Sequence, residues 1–373
     1  MRVGILTFFR PINNGAVLQA CAMNSIVLRK MGVESELIDY RLAKTEMYRR
    51  PFSLKRIRMI PGGRKRFIGT LKSIYRIPFR FRQNGKYNRF IREHMTTSRK
   101  VYRSAASLES ECQGYDAYIV GSDLVWSPVM AEGINPVFFL SFVREPGAGK
   151  ISYAPSVGSA EITDGQLSLY KQYLTYLDYI SVREKTTALQ FRKLTDKTVH
   201  TVLDPTLLTT REDWNGFYDP KPVHNGKYIF AFMLEPNEIL VNTVNRLAEI
   251  RDCEIVAYEA KMEYKARKVT YITYSCGPSE FLNLMKNAES IVTNSYHGCA
   301  FSLIFHKDFY CIPHTKRGVR MIDLMHSLHL ENRIVRDRDF EVQPPIDYEA
   351  TERIRGEMAE ESFGYLRNAL AKG

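Results

Sequence analysis

The chain has 373 residues, 45% hydrophobic and 25% charged, with 53 Lys and Arg against 41 Asp and Glu for a formal net charge of +12. That composition belongs to a globular protein long enough for two cores, and it excludes a disordered or fibrous chain. The charge is local: residues 49–103 hold 18 bases and one acid, Glu93, so this stretch carries +17 and the rest of the chain −5.

From the N-terminus, Val3 to Phe8 is an apolar run of strand length. Its apolar core is too short for a signal peptide, so it reads as a first strand. After a Pro/Asn/Gly loop, Val17, Leu18, Ala20, Cys21, Ile26 and Val27 recur at helical spacing until Gly32, and Ser35 to Tyr40 reads as a second strand. Beyond the basic stretch, strands are expected at Asp116 to Val120, Ile151 to Ala154, Tyr179 to Val182 and Val199 to Leu203, with a helix over Glu184 to Leu194. Thr209 to Lys227, broken by Asn215-Gly216, Asp219-Pro220, Lys221-Pro222 and Asn225-Gly226, is the linker candidate.

A second series follows the linker. Strands are expected at Tyr228 to Leu234, Glu254 to Tyr258, Ile291 to Thr293 and Phe309 to Ile312, with helices over Glu238 to Arg251, Glu280 to Ala288 and Gly298 to Phe305. A long charged helix, Tyr348 to Ala371, ends the chain. Strands alternating with helices predict an α/β protein with one parallel sheet per domain and a cleft between facing strand ends.

No run reaches the roughly 18 apolar residues of a membrane-spanning helix. The six cysteines are scattered without CxxC or metal-type spacing, so they are expected as free thiols in a reducing, cytoplasmic compartment. His326 and His329 are the one closely spaced histidine pair, without a carboxylate partner, so no metal site is expected. Neither GxGxxG nor a Walker A pattern occurs, and no cofactor is expected.

Ligands of open parallel sheets bind beyond the carboxyl ends of the strands. Four such ends are polar here: Asn13-Asn14-Gly15; Gly121-Ser122-Asp123; Arg183; and Thr293-Asn294-Ser295-Tyr296-His297-Gly298. Asn, Ser and Asp at such junctions commonly cap helices. A helix start also favours an anion, and Arg adds bidentate recognition of carboxylate or phosphate. A charged imidazole at a helix N-terminus is disfavoured unless an anion offsets it, which suits His297 to acid–base work on an anionic substrate.

These segments, with Tyr115 to Asp123 followed by Trp126, Tyr153-Ala154-Pro155-Ser156-Val157-Gly158, Ile180 to Glu184 and Val202-Leu203-Asp204-Pro205-Thr206, occur in an order that resembles the polysaccharide pyruvyl transferase family over roughly residues 1–330. The resemblance implies a GT-B type fold, two Rossmann-like domains facing across a cleft. The expected domains are 1–215, with a basic insertion at about 47–103, then 216–345, and a C-terminal helix at 346–373 free to return to the N-terminal domain. It implies transfer of a pyruvate ketal from phosphoenolpyruvate to a sugar of a bacterial surface polysaccharide or its lipid-linked precursor. His297 would be the catalytic histidine, Arg183 a donor-binding arginine with Asn294, Ser295 and Gly298 beside it, and Asp123 a candidate for orienting the acceptor hydroxyl. Many members carry Arg two residues before the histidine, where this chain has Ser295, in an Asn-Ser-aromatic-His-Gly variant. A second donor cation is then sought in Lys316, Arg317 or Arg320. The alternative on the same fold is a nucleotide-sugar-dependent glycosyltransferase.

The basic stretch also holds Ile57, Ile60, Phe67, Ile68, Leu71, Ile74, Tyr75 and Phe79. Ile60, Phe67, Leu71 and Ile74 share a helical face only if Pro61-Gly62-Gly63 separates two short helices. The segment reads either as a solvated basic face or as peripheral attachment of residues 49–103 to the anionic inner face of the plasma membrane. No nucleic-acid-binding module accompanies it, and nucleic acid is not an expected partner.

Overall fold

The computed structural model describes residues 1–54, 58, 62–159, 161–258, 262–265, 268–272, 275–315, 318–339 and 341–371. Strands β1 (Arg2–Leu6), β2 (Glu34–Tyr40), β3 (Thr97–Tyr102), β4 (Ala117–Gly121) and β5 (Gly149–Tyr153) form a parallel sheet in the order β3-β2-β1-β4-β5. β6 (Ile180–Val182) and β7 (Val199–Thr201) pair with each other, and a bridge from Ile151 to Tyr179 connects them to the β5 edge. β8 (Tyr228–Phe232), β9 (Glu254–Ala257), β10 (Val269–Tyr271), β11 (Ser290–Thr293) and β12 (Asp308–Cys311) form a second parallel sheet in the order β10-β9-β8-β11-β12. Each sheet winds outward from a central strand that helices cover on both faces. That explains why β4 and β8 are buried along their whole length and read as unbroken apolar runs.

The helices of the first half are α1 (Asn14–Cys21), α2 (Ala43–Arg49), α3 (Gly63–Tyr75), α4 (Ile77–His94), α5 (Ala105–Glu111), α6 (Asp164–Leu174) and α7 (Lys185–Phe191). Those of the second are α8 (Glu238–Ile250), α9 (Pro278–Asn287), α10 (Tyr296–Ile304), α11 (Val319–Ser327) and α12 (Tyr348–Ala371). In α8, Leu240, Val244, Leu247 and Ala248 recur at threes and fours on the buried face, and Asn237 caps the start by accepting from the Leu240 amide at 2.9 Å.

α12 lies against the first unit. Arg355 donates to the carbonyls of Leu207 and Thr209, Tyr365 to that of Ser152, and Ser362 accepts from the Leu203 amide. The carboxyl ends of the two sheets meet, since Gly15 after β1 touches His297 after β11. The architecture is two Rossmann-like units of the GT-B type with a C-terminal helix.

The basic stretch is not one insertion but three elements with different jobs. Thr97–Tyr102 is β3, an edge strand of the first sheet, unread in the sequence because its burial is broken by exposed Arg99, Lys100 and Val101. α4 is a strut: Tyr87, Phe90 and Ile91 are buried in the core, the Tyr87 hydroxyl donates to Asn14 at 2.5 Å, and Lys86 reaches the Ser275 carbonyl and Glu280 of the second unit. Only α3 stands outward. Gly62, at φ +80°, turns the chain into it, while Ile57, Ile60 and Pro61 lie outside the described residues.

All six cysteines are buried and free. Among the described residues no helix is long and apolar enough to cross a membrane, and no group of three or more His, Cys, Asp or Glu is placed to hold a metal ion.

Candidate active site

Six strand ends bring their following residues to one place. The centre is Asp204, after β7, with its carboxylate sealed from solvent. Its Oδ2 accepts from Arg183 (2.7 Å) after β6 and from the Ser122 hydroxyl (2.7 Å) after β4; its Oδ1 accepts from the Thr206 amide and hydroxyl. From the opposite unit, His297 Nε2 stands 3.7 Å from the same Oδ2, a charge contact beyond hydrogen-bond length. Burial alone would raise the Asp204 carboxyl, but His297, Arg183 and Ser122 outweigh it and hold it well below the usual carboxylate range. Burial likewise opposes the Arg183 charge, and Glu184 and Asp204 overcome it and push its pKa up.

Four buried polar atoms around this centre have no hydrogen-bond partner among the described residues: Arg183 Nη2, His297 Nε2, Ser156 Oγ and Glu184 Oε2. Buried polar groups are ordinarily satisfied, so orphaned atoms gathered at strand ends mark a place built for a ligand. The first unit supplies Ser156, Arg183 and Glu184; the second supplies His297 from the first turn of α10. Tyr296 forms the wall between Arg183, whose guanidinium lies 4.3 Å from its ring centroid, and Arg320, at 5.8 Å. Arg183, Lys185, Tyr296, Arg320 and Asp323 line a small pocket of about 40 Å³ that opens beside the site.

Two glycines are fixed by contact. A Cβ on Gly15 would lie 2.2 Å from His297 Nδ1, and one on Gly298 would lie 2.3 Å from Thr293 Oγ1. Gly15 lets α1 close on the imidazole; Gly298 lets α10 start flush with the end of β11.

The remaining candidate residues divide. Arg183, Ser122, Gly15 and His297 converge, and Arg320 joins them across Tyr296. Asp123, after Gly121 at the end of β4, adopts a left-handed backbone (φ 61°), and its charge reaches Arg183. No helix follows it, so it caps none. Asn13 and Ser295 are caps, accepting from the Ala16 and Gly298 amides. Asn14 points to Tyr87 and Cys276, and the Asn294 carboxamide ties down Leu234 and Glu235. Lys316 and Arg317 lie outside the described residues. Asp204, Ser156 and Glu184 sit inside the sequence motifs, but no role falls to them until β7 and β11 are seen to meet.

The sequence model of the polysaccharide pyruvyl transferase family matches residues 13–316. No curated protein matches. Among solved structures, similar ones include the S. aureus MnaA–UDP complex (TM-score 0.48, 10% identity, 96% of this chain and 90% of that one) and the UDP-GlcNAc 2-epimerase of Methanocaldococcus jannaschii (0.46, 14%, 95% and 98%). The E. coli heptosyltransferase WaaC with ADP-2-deoxy-2-fluoro heptose is similar at 0.38 and 10%, over 96% and 99%.

Proposed function

The chain belongs to the polysaccharide pyruvyl transferase family and is a transferase; we propose that it moves a pyruvyl group from phosphoenolpyruvate onto two hydroxyls of a sugar in a surface polysaccharide or its lipid-linked precursor. The observation that carries this reading is the pair of unsatisfied buried nitrogens, Arg183 Nη2 and His297 Nε2, held on either side of Asp204.

Phosphoenolpyruvate concentrates a carboxylate and a phosphate on three carbons. Arg183 offers its free nitrogen to one anionic group. Its charge is already offset by Asp204 and Glu184, so the second group calls on Arg320 and Lys185 at the opening and on the amides at the start of α10. Arg320 thereby takes the place of the arginine that many family members carry where this chain has Ser295.

In the reaction, protonated His297 gives its proton to the donor methylene, and positive charge develops at C2. One sugar hydroxyl attacks C2 and returns a proton to His297. The C2–O bond to phosphate breaks, the second hydroxyl closes the ketal, and its proton leaves with phosphate. Asp204 stabilises the imidazolium without taking the proton, and Asp123 is the group available to orient the acceptor. The reading sets the enzyme at the anionic inner face of the plasma membrane, where lipid-linked acceptors are made.

The test measures phosphate release from phosphoenolpyruvate with candidate acceptors, alongside a panel of nucleotide sugars. Acceptor-dependent phosphate release and a product heavier by one pyruvate ketal are expected. His297→Ala should lose at least about a hundredfold in turnover, roughly 3 kcal/mol, with its fold intact. Release of a nucleoside diphosphate from a nucleotide sugar, with none of phosphate from phosphoenolpyruvate, would replace this reading with a glycosyltransferase.

A further inference from the structure

α3 is turned inside out for a surface helix. At 100° per residue, Phe67, Ile68, Leu71, Ile74 and Tyr75 fall within an arc of about 120°. That arc faces outward, with Phe67 66% and Tyr75 72% exposed and the other three between 42% and 52%. Gly69, Thr70 and Ser73, on the opposite side, are the half-buried ones. A helix serving only to cover the protein would present the reverse pattern, and a contiguous exposed apolar face of this kind marks an interaction surface. Phe79, 42% exposed near the start of α4, packs on Tyr75 at 5.6 Å between ring centroids and extends it.

The geometry points to an anionic phospholipid bilayer as the occupant, with α3 lying in the plane of its headgroups and the apolar arc turned into the acyl boundary. Charge complementarity decides among partners. Lys72 is exposed at the edge of the arc, and residues 49–75 offer nine bases and no acid. A second copy of the chain docked face to face would bring two such segments together with nothing to neutralise them. A nucleic acid would satisfy the cations but leave Ile68, Leu71 and Ile74 in water. A bilayer of anionic lipid satisfies both at once. Thirteen residues make a helix about 20 Å long, suited to lying in an interface and too short to span one. α4 follows directly and grips both units through Tyr87 and Lys86, so a bound α3 fixes the orientation of the site relative to the membrane. The inference draws on the pyruvyl transfer reading only for the lipid-linked acceptor; the surface itself stands without it.

The test is flotation of the full chain with vesicles of phosphatidylglycerol and phosphatidylethanolamine, against pure phosphatidylcholine, at low and high salt. Binding to the anionic vesicles is expected, weakened by salt and absent on phosphatidylcholine. The triple variant Phe67→Glu, Leu71→Glu, Ile74→Glu should bind at least tenfold more weakly while its thermal transition stays in place, because these side chains leave the core untouched. Binding by the triple variant at the unaltered level overturns the proposal, as does failure of the unaltered chain to float with dimerisation or RNA binding in its place. Flotation requires no substrate, so its outcome is separate from that of the phosphate-release assay.

Discussion

Asp204 bonds Arg183 and stands 3.7 Å from His297, so one buried carboxylate faces both basic groups of the candidate site. A carboxyl held below its ordinary range stabilises the fold in full above the unfolded value, and that contribution is lost as pH falls. Asp204→Asn keeps the shape and removes the charge, leaving Glu184 and the more distant Asp123 to offset Arg183 in the interior. Breaking a buried pair in this way should cost about 3–5 kcal/mol at neutral pH. Below about pH 4, the ordinary carboxylate range, the gap between wild type and variant should begin to narrow, closing only as pH falls through the depressed value of the folded state. Urea midpoints across a pH series measure this, and a gap of constant size from pH 7 to pH 3 would rule out the charge role. Gly15 raises a separate question of contact. Its backbone lies outside the left-handed region, so alanine is barred by His297 alone. Gly15→Ala should destabilise by about 1–3 kcal/mol, the usual cost of overpacking, and by less when made in His297→Ala, where the ring atoms at 2.2 and 2.6 Å are gone and the Cβ at 3.0 Å remains. Equal costs in the two backgrounds would place the clash elsewhere.

At the scale of elements, the sequence reveals what is buried on both faces and hides what is not. β1, β4, β8 and β11 are central strands and stand out as apolar runs. β3 and β10 are edges: Thr97–Tyr102 is interrupted by the adjacent charges Arg99 and Lys100, and Val269–Tyr271 is nowhere fully buried, so neither shows a run to read. The basic stretch misleads for a related reason, because its mean charge conceals a change of role between two consecutive helices. In α4 the apolar residues at 87, 90 and 91 face the core, whereas in α3 those at 67, 71 and 74 face outward, and helical spacing alone has no sign. The site shows the same division. Arg183 is legible because it directly follows a strand, and His297 because it opens the helix that follows one. Asp204 is not, since its importance depends on two strand ends that lie 93 residues apart in sequence meeting across the interface. Asn294 and Ser295 read equally well as ligand groups or as ties and caps, and their hydrogen bonds are those of ties and caps.

For the whole molecule, each sheet keeps an outer apolar layer of its own, and between them the two share a third core. A single apolar cluster includes Val3 and Ile5 of the first sheet, Tyr228 and Ile291 of the second, Tyr87 of α4 and Leu366 of α12. Arg355, Ser362 and Tyr365 then lock α12 onto the carbonyls and amides leading into the site. Shared burial of this kind couples the two units, so unfolding either exposes apolar surface of the other. The chain has two tryptophans placed to report on this. Trp126 stacks on Phe139 in the layer outside the first sheet, and Trp214 sits in the shared cluster, bonded to Thr209 and packed edge-on against Phe301. Trp126→Phe and Trp214→Phe each leave one reporter. Fluorescence of the two variants during urea unfolding, with each calibrated against its own circular dichroism, should give transitions coincident with the loss of helix in both cases. If Trp126 changed at a lower urea concentration than the helical signal while Trp214 tracked it, the outer layer of the first unit would be unfolding alone. The stability of that layer would then be local, set by its own contacts rather than by the core that the two halves share.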